Sequence, residues 1–156
     1  MTPAVNAAKK ARIAYTLHSY EHDPAAVSYG TEAAEKMGVE PARVFKTLVA
    51  ELDAKRFAVA VVPVSGMLSL KRLAEAAGAK KAKMADGADV ERMSGYVLGG
   101  VSPLGQKKRL ETFIDTTARD FPTIYVSAGR RGLEIALSPE DLRALTGGAF
   151  APLSAD

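Results

Sequence analysis

Three short stretches of this 156-residue chain carry residue types whose spacing could do chemistry. The first is Val44-Phe45-Lys46-Thr47-Leu48-Val49, a β-branched and aromatic run that reads as a strand, in which period two puts Lys46 on one face with Val44 and Leu48. A cation in that apolar setting either blunts a strand edge against aggregation or is aimed at an anion or a carbonyl oxygen. The second is Gly99-Gly100-Val101-Ser102-Pro103, where glycines let backbone N–H groups approach a ligand and hold a carbonyl or an oxyanion. The same residues also make an ordinary turn. The third is Ser127-Ala128-Gly129-Arg130-Arg131-Gly132, whose arginines either reach a phosphate or decorate a hairpin turn.

Other chemistries lack their parts. The chain has no cysteine, which removes disulfides, thiolate metal sites and a cysteine nucleophile. His18 and His22 are the only histidines, and on a strand they would share a face with Tyr20. Zinc needs three or four protein ligands, so a carboxylate such as Asp23 would have to complete the set, and no metal is expected. No phosphate loop, dinucleotide fingerprint or nucleophile elbow is present, and no cofactor is expected.

Composition is that of a globular chain, with 47% hydrophobic and 25% charged residues. One domain over residues 1–156 is expected, because domains run to roughly 100–200 residues. The net charge of +3 is clustered in Lys71-Arg72, Lys80-Lys81-Ala82-Lys83, Lys107-Lys108-Arg109 and Arg130-Arg131, each a phosphate contact or a solvated face. The N-terminus lacks a secretory apolar stretch and no run approaches the ~18 apolar residues of a membrane helix, so a cytoplasmic protein with no membrane partner is expected.

The elements that must position these residues follow from caps and punctuation. Thr2-Pro3 opens a short helix through Arg12, and Ile13 to Tyr20 reads as a strand. A turn-rich segment from His22 to Gly30 leads into a helix over Thr31 to Met37 that Gly38 ends. Val44–Glu51 and Arg56–Pro63 form a hairpin about Leu52–Lys55, Ser69 caps a helix closed by Gly78, and Asp86 caps another ended near Gly95. Tyr96–Leu98, Thr112–Ile114, Thr123–Val126 and Gly132–Leu137 are short strands, and Ser138-Pro139-Glu140-Asp141 caps a last helix that Gly147 stops. Helices and strands mix without a βαβ rhythm, which is an α+β pattern.

Taken in order, several segments resemble the YbaK/EbsC family, free-standing relatives of the editing domain inserted in bacterial prolyl-tRNA synthetases. They are Met1-Thr-Pro-Ala4, Tyr20-Glu-His-Asp-Pro24, Phe45-Lys-Thr-Leu48, Gly78-Ala-Lys-Lys81, Met84-Ala-Asp86, Gly95-Tyr96, Gly99 through Arg109, and Thr123-Ile-Tyr-Val-Ser127. The resemblance runs nearly end to end and is greatest to the Cys-tRNA(Pro) deacylase branch. It implies a mixed, largely antiparallel barrel-like sheet with surrounding helices, and release of cysteine from mischarged Cys-tRNA(Pro).

By the same resemblance the family's essential lysine is Lys46 and its Gly-x-x-x-Pro loop runs from Gly99 to Pro103, with Gly99 and Gly100 holding the carbonyl and Ser102 and Pro103 in the loop. Tyr20, Tyr29, Thr47, Ser127 and Glu134 would line the pocket, while the substrate's own thiol would attack the ester and release a thiolactone. Glu134 stands where the family more often has aspartate, which leaves the preferred amino acid open, and Ala128 where glycine is expected, a change the fold is expected to tolerate. The implied partners are aminoacyl-tRNA, tRNA(Pro) above all, and prolyl-tRNA synthetase, with no DNA. A deacylase of Ala-tRNA(Pro) or another small aminoacyl-tRNA, and a non-catalytic module that binds tRNA or a synthetase, are the alternatives.

Overall fold

A computed structural model describes residues 1–25, 29–53 and 55–155. The Thr2 side chain accepts from the Val5 N–H at 3.2 Å, and the alanine-rich helix α1 (Pro3–Ala11) buries Ala4, Val5 and Ala8. Strand β1 (Tyr15–Ser19) follows, then helix α2 (Tyr29–Met37) and the hairpin of β2 (Phe45–Leu52) and β3 (Arg56–Pro63). Ser69 caps α3 (Leu70–Ala77) through the Arg72 N–H, and Gly78 closes it in the left-handed conformation. A short strand β4 (Ala82–Met84) and helix α4 (Gly87–Ser94) lead to β5 (Glu111–Asp115), β6 (Ile124–Arg130) and β7 (Leu133–Leu137). Helix α5 (Pro139–Thr146), capped by Ser138 as its sequence dictates, and β8 (Ala149–Ala151) complete the chain.

The strands form two sheets, one ordered β1-β7-β6 and antiparallel, the other ordered β4-β2-β3-β5-β8. The second sheet is antiparallel from β4 to β3 and parallel from β3 through β5 to β8. It is buried on both faces. Val59 and Val61 of β3 meet β6, β7, α1 and α5 in one core, whereas Ala58, Ala60 and Val62 turn to Leu73 of α3 and to Leu153 in another. Burial on both sides explains why β3 reads as a continuous apolar run rather than an alternating one.

The mixed, mainly antiparallel α+β architecture agrees with the expectation, but the sheets do not close into a barrel. Among the described residues they are joined in register by a single parallel bridge, Val44 to Tyr125, and beyond it β2 and β6 part around a cavity.

Other details differ from the sequence reading. Tyr96–Leu98 is not a strand, because its polar groups are taken locally: Leu98 N–H donates to the Glu91 carboxylate at 3.0 Å and the Tyr96 hydroxyl to Leu104 C=O at 2.5 Å. The arginine-glycine segment is not all turn, since β6 runs through Arg130 with a register shift between Ser127 and Arg130. Strand β1 stops at Ser19, so the shared face does not extend to His22. His18 instead sits edge-on to Tyr125, its Nε2 2.8 Å from the Thr16 hydroxyl. Strands β4 and β8 were not anticipated; three residues are too few to show a period.

Candidate active site

The gap between the sheets opens as a cavity of about 650 Å³ whose floor is β2. In an antiparallel strand the N–H and C=O of one residue point the same way and alternate along the chain. Val44 C=O accepts from Val64 N–H on the β3 side at 2.8 Å, and Val49 C=O from Ala85 N–H on the other side at 3.0 Å. The Thr47 backbone therefore points away from β3, toward the stretch that β4 leaves uncovered, because β4 pairs only with Ala50, Glu51 and Leu52. Buried Thr47 Oγ1 has no hydrogen-bond partner among the described residues. This edge offers both a hydroxyl and main-chain groups to a ligand.

Lys46 lies on this open half of β2, with Leu48 on its face packed on the α3 side. The strand has a neighbour on either side, so the edge-blunting expectation applies only to its uncovered half. Lys46 Nζ donates to Gly66 C=O at 3.0 Å, and burial lowers its pKa from the ordinary lysine value. It is a half-buried cation held toward the cavity by one neutral acceptor.

Across the cavity, Glu134 of β7 pairs in register with Ser127 of β6 and His18 of β1, which puts Ser127 and Glu134 side by side on one sheet face. Glu134 is 6% exposed, and burial pushes its pKa up to about 8. Burial thus favours its protonated form, which can donate as well as accept. Burial, and then the nearby Glu134 and Glu32 carboxyls, raise the pKa of the Tyr20 hydroxyl beside it. The chain after Tyr20 is tied down by Glu32, which accepts from Asp23 N–H at 2.5 Å and lies 3.5 Å from Arg131.

The glycine loop supplies the remaining wall. Gly99 lines the cavity with φ +90°, a conformation that favours glycine. Gly100 lies behind it, its N–H donating to Val97 C=O at 3.0 Å, and a β-carbon there would sit 2.7 Å from Arg130 Cα. Ser102 is fully buried, its hydroxyl accepting from Leu104 N–H at 3.2 Å, and buried Pro103 follows it. The structure thus brings Tyr20, Lys46, Thr47, Gly99, Ser127 and Glu134 around one cavity and puts Gly100, Ser102 and Pro103 behind the loop that closes it. The Tyr29 side chain lies outside what the structure describes.

The sequence reading missed the wall formed by Met84, Ala85, Gly87, Val90 and Leu98, which continues into Val101 of the glycine loop. Its signal was an apolar Met84 at the end of a lysine run and an apolar Val97-Leu98 pair next to glycines. Among the described residues no three His, Asp or Glu side chains converge as a metal site would require. No helix of these residues is long and apolar enough to cross a membrane.

Over 121 residues the chain is 44% identical to an Enterococcus faecalis protein named "Putative Cys-tRNA(Pro)/Cys-tRNA(Cys) deacylase EbsC", covering 78% of this chain and 74% of that one. It is 28% identical over 111 residues to YwhH of Bacillus subtilis, covering 71% and 70%. Its fold is shared with the solved structure of hypothetical protein APE2540, at TM-score 0.87 and 23% identity over 98% of this chain and 99% of that one. It is also shared with "a putative trans-editing enzyme for prolyl tRNA synthetase", at TM-score 0.81 and 22% identity over 100% and 99%. Residues 23–145 match the model of the aminoacyl-tRNA editing domain, and on that match and the 44% identity the chain belongs to this family, the YbaK family.

Proposed function

We infer that the protein is an aminoacyl-tRNA deacylase that releases cysteine from mischarged Cys-tRNA(Pro). The observation that carries this reading is the cavity itself, where a half-buried lysine, a buried carboxyl and a glycine loop converge and where, among the described residues, no histidine lines the wall to activate the hydroxyls of Thr47 and Ser127. A site so furnished positions a substrate rather than attacking it. An editing site is needed because a synthetase pocket built for proline cannot strongly reject a residue of similar or smaller size.

In the proposed mechanism the substrate thiol attacks its own ester carbonyl. A carbon–sulfur bond forms, the bond to the ribose oxygen breaks, the thiol proton ends on that oxygen, and a thiolactone leaves. Gly99 N–H holds the carbonyl oxygen as negative charge grows on it, a donor worth about 10²–10³ in rate, while Gly100, whose N–H is already donated to Val97 C=O, sets the loop rather than holding the carbonyl as expected. Lys46 faces the phosphate or ribose of the terminal adenosine. Thr47, Ser127, Tyr20 and Tyr29 orient the aminoacyl group, and Ser102 and Pro103 fix the loop.

Glu134 favours a second reading. Its side chain is one methylene longer than the aspartate the family resemblance leads one to expect, so it takes more of the cavity and favours small side chains such as alanine. Release of labelled amino acid from Cys-tRNA(Pro), Ala-tRNA(Pro) and Pro-tRNA(Pro), with and without prolyl-tRNA synthetase, tests both readings. Cysteine released fastest, with thiolactone in the quenched product, supports the first; alanine released fastest supports the second. No release from any of the three overturns both and leaves the non-catalytic module.

A further inference from the structure

Strand β4 joins two features that the cavity alone does not explain. At its end Met84 is 46% exposed, and Leu98, 54% exposed, shares the cavity wall with it while Val97 beside it is 66% exposed. Two large apolar side chains thus stand in solvent on the wall of one cavity with a third, Val97, next to Leu98 in the chain, a placement that marks a contact surface. At its start lies a second, shallower groove of about 420 Å³ between α3 and β4, bordered by Lys71, Lys80, Lys81 and Glu75. The two features are joined by Ala82 and Lys83.

The lysines of this groove are held ready for an anion. Asp53 fixes the chain that carries them, accepting the main-chain N–H groups of Lys80 and Lys81 at 3.1 and 3.0 Å. Their side chains, and that of Lys71, are exposed and have no acidic partner among the described residues. Arg131 pairs with Glu32 and Arg56 with Glu111, Arg43 lies over Phe121 and Tyr125, and Arg72 donates to Ser154 C=O, so these arginines are engaged where the groove lysines are not. From Lys81 to Met84 the chain covers about 10 Å at about 3.3 Å per residue. At about 3.4 Å of rise per nucleotide in a stacked strand, that is about three nucleotides.

We propose that the lysine groove and β4 form the track along which the single-stranded 3′ end of an RNA substrate enters the cavity, its last base resting on the Met84–Leu98 shelf and its preceding phosphates on Lys81, Lys80 and Lys71. The assignment rests on the deacylase reading and adds to it which of the four basic clusters faces the RNA. The occupant is RNA rather than a protein helix because Lys71, Lys80 and Lys81 border the groove against a single acid, Glu75, and because Ala82, which lines the groove, and Met84, which lines the cavity, lie two residues apart on one face of β4. The shelf accepts a base of any sequence, whereas the lysines read only phosphate.

The test compares the wild type, Lys80→Glu/Lys81→Glu and Lys107→Glu/Lys108→Glu on two substrates, aminoacyl-tRNA and the 3′-aminoacyl ester of adenosine, which lacks the preceding phosphates. Lys80→Glu/Lys81→Glu is expected to lower kcat/KM on the tRNA at least ten-fold more than on the adenosine ester. It is also expected to flatten the log–log salt dependence of tRNA binding by about 1.4, since each single-strand phosphate neutralised by a lysine adds about 0.7 to that slope. Lys107→Glu/Lys108→Glu is expected to change neither. Equal losses on both substrates, no loss on either, or a loss seen only when a synthetase is present overturns the track; the last assigns the groove to a protein partner. Inactivity of the wild type on both substrates overturns the deacylase reading instead, and uncharged tRNA binding with an unaltered salt slope overturns the track independently.

Discussion

Burial shifts the pKa of both Glu134 and Lys46 against their charged forms, upward for the carboxyl and downward for the ammonium, and each bears on stability. Glu134 has a folded pKa of about 8, above that of an unfolded glutamate, so its contribution is fully present at acid pH and is lost as pH rises through 8. Thermal melts are expected to show the wild type losing on the order of a few kcal/mol across that window, while Glu134→Gln flattens the profile and gains at pH 9 relative to wild type. An unchanged profile in the variant would mean that the carboxyl ionises freely. Lys46 makes one hydrogen bond, to Gly66 C=O, against the cost of its partial burial. Lys46→Ala is therefore expected to cost about 1 kcal/mol or less by denaturant titration. Lys46→Arg is expected to recover little activity, because a planar guanidinium does not replace a compact ammonium on a flexible stem. Lys46 was legible from strand period alone, since it stands among apolar neighbours. Glu134 was not, because its burial comes from Ser127 and His18 on other strands and needed the family resemblance to be noticed.

At the scale of elements, Gly100 and Asp115 are the residues through which the glycine loop and the C-terminal segment can be tested. Gly100 is packed so closely on β6 that a methyl group would meet Arg130 Cα, and backbone cannot give way as a side chain does. Gly100→Ala is expected to push the loop off β6, lowering kcat of deacylation at least ten-fold with a melting temperature several degrees lower. A fully active Gly100→Ala enzyme would show that the loop need not sit there. Asp115, 2% exposed, accepts from Leu153 N–H at 2.8 Å, Ser154 N–H at 2.9 Å and the Thr117 hydroxyl at 2.5 Å. Burial works to raise its pKa, but these bonds prevail and lower it, so its stabilisation is present at neutral pH and lost as pH falls through the carboxylate range. Asp115→Ala is expected to cost about 2–4 kcal/mol by chemical denaturation, because it leaves buried N–H groups unpaired. Helices α1, α3 and α5 were legible from Thr2, Ser69 and Ser138 with their closing residues, since capping is local chemistry. Strands β4 and β8 were not, because their partners lie far along the chain. Tyr96–Leu98 misled because β-prone residues there are held by Glu91 and Leu104 instead of a strand.

For the whole molecule, composition and the mixed element order gave the α+β class, while the division into two sheets depended on pairings no local pattern encodes. The cavity exists because those sheets meet at Val44 and Tyr125 and then part, which leaves half of β2 open beside Lys46. On the proposed reading that opening is an ester-cleaving site whose cation is Lys46. The most direct test is the first-order release of labelled cysteine from Cys-tRNA(Pro) by the wild type and by Lys46→Ala, with the variant shown to be folded by its melt. Release far above the spontaneous rate by the wild type, and a loss of about 10² or more in the folded variant, is the predicted result. Release at the spontaneous rate by the wild type, or undiminished release by Lys46→Ala, would contradict it.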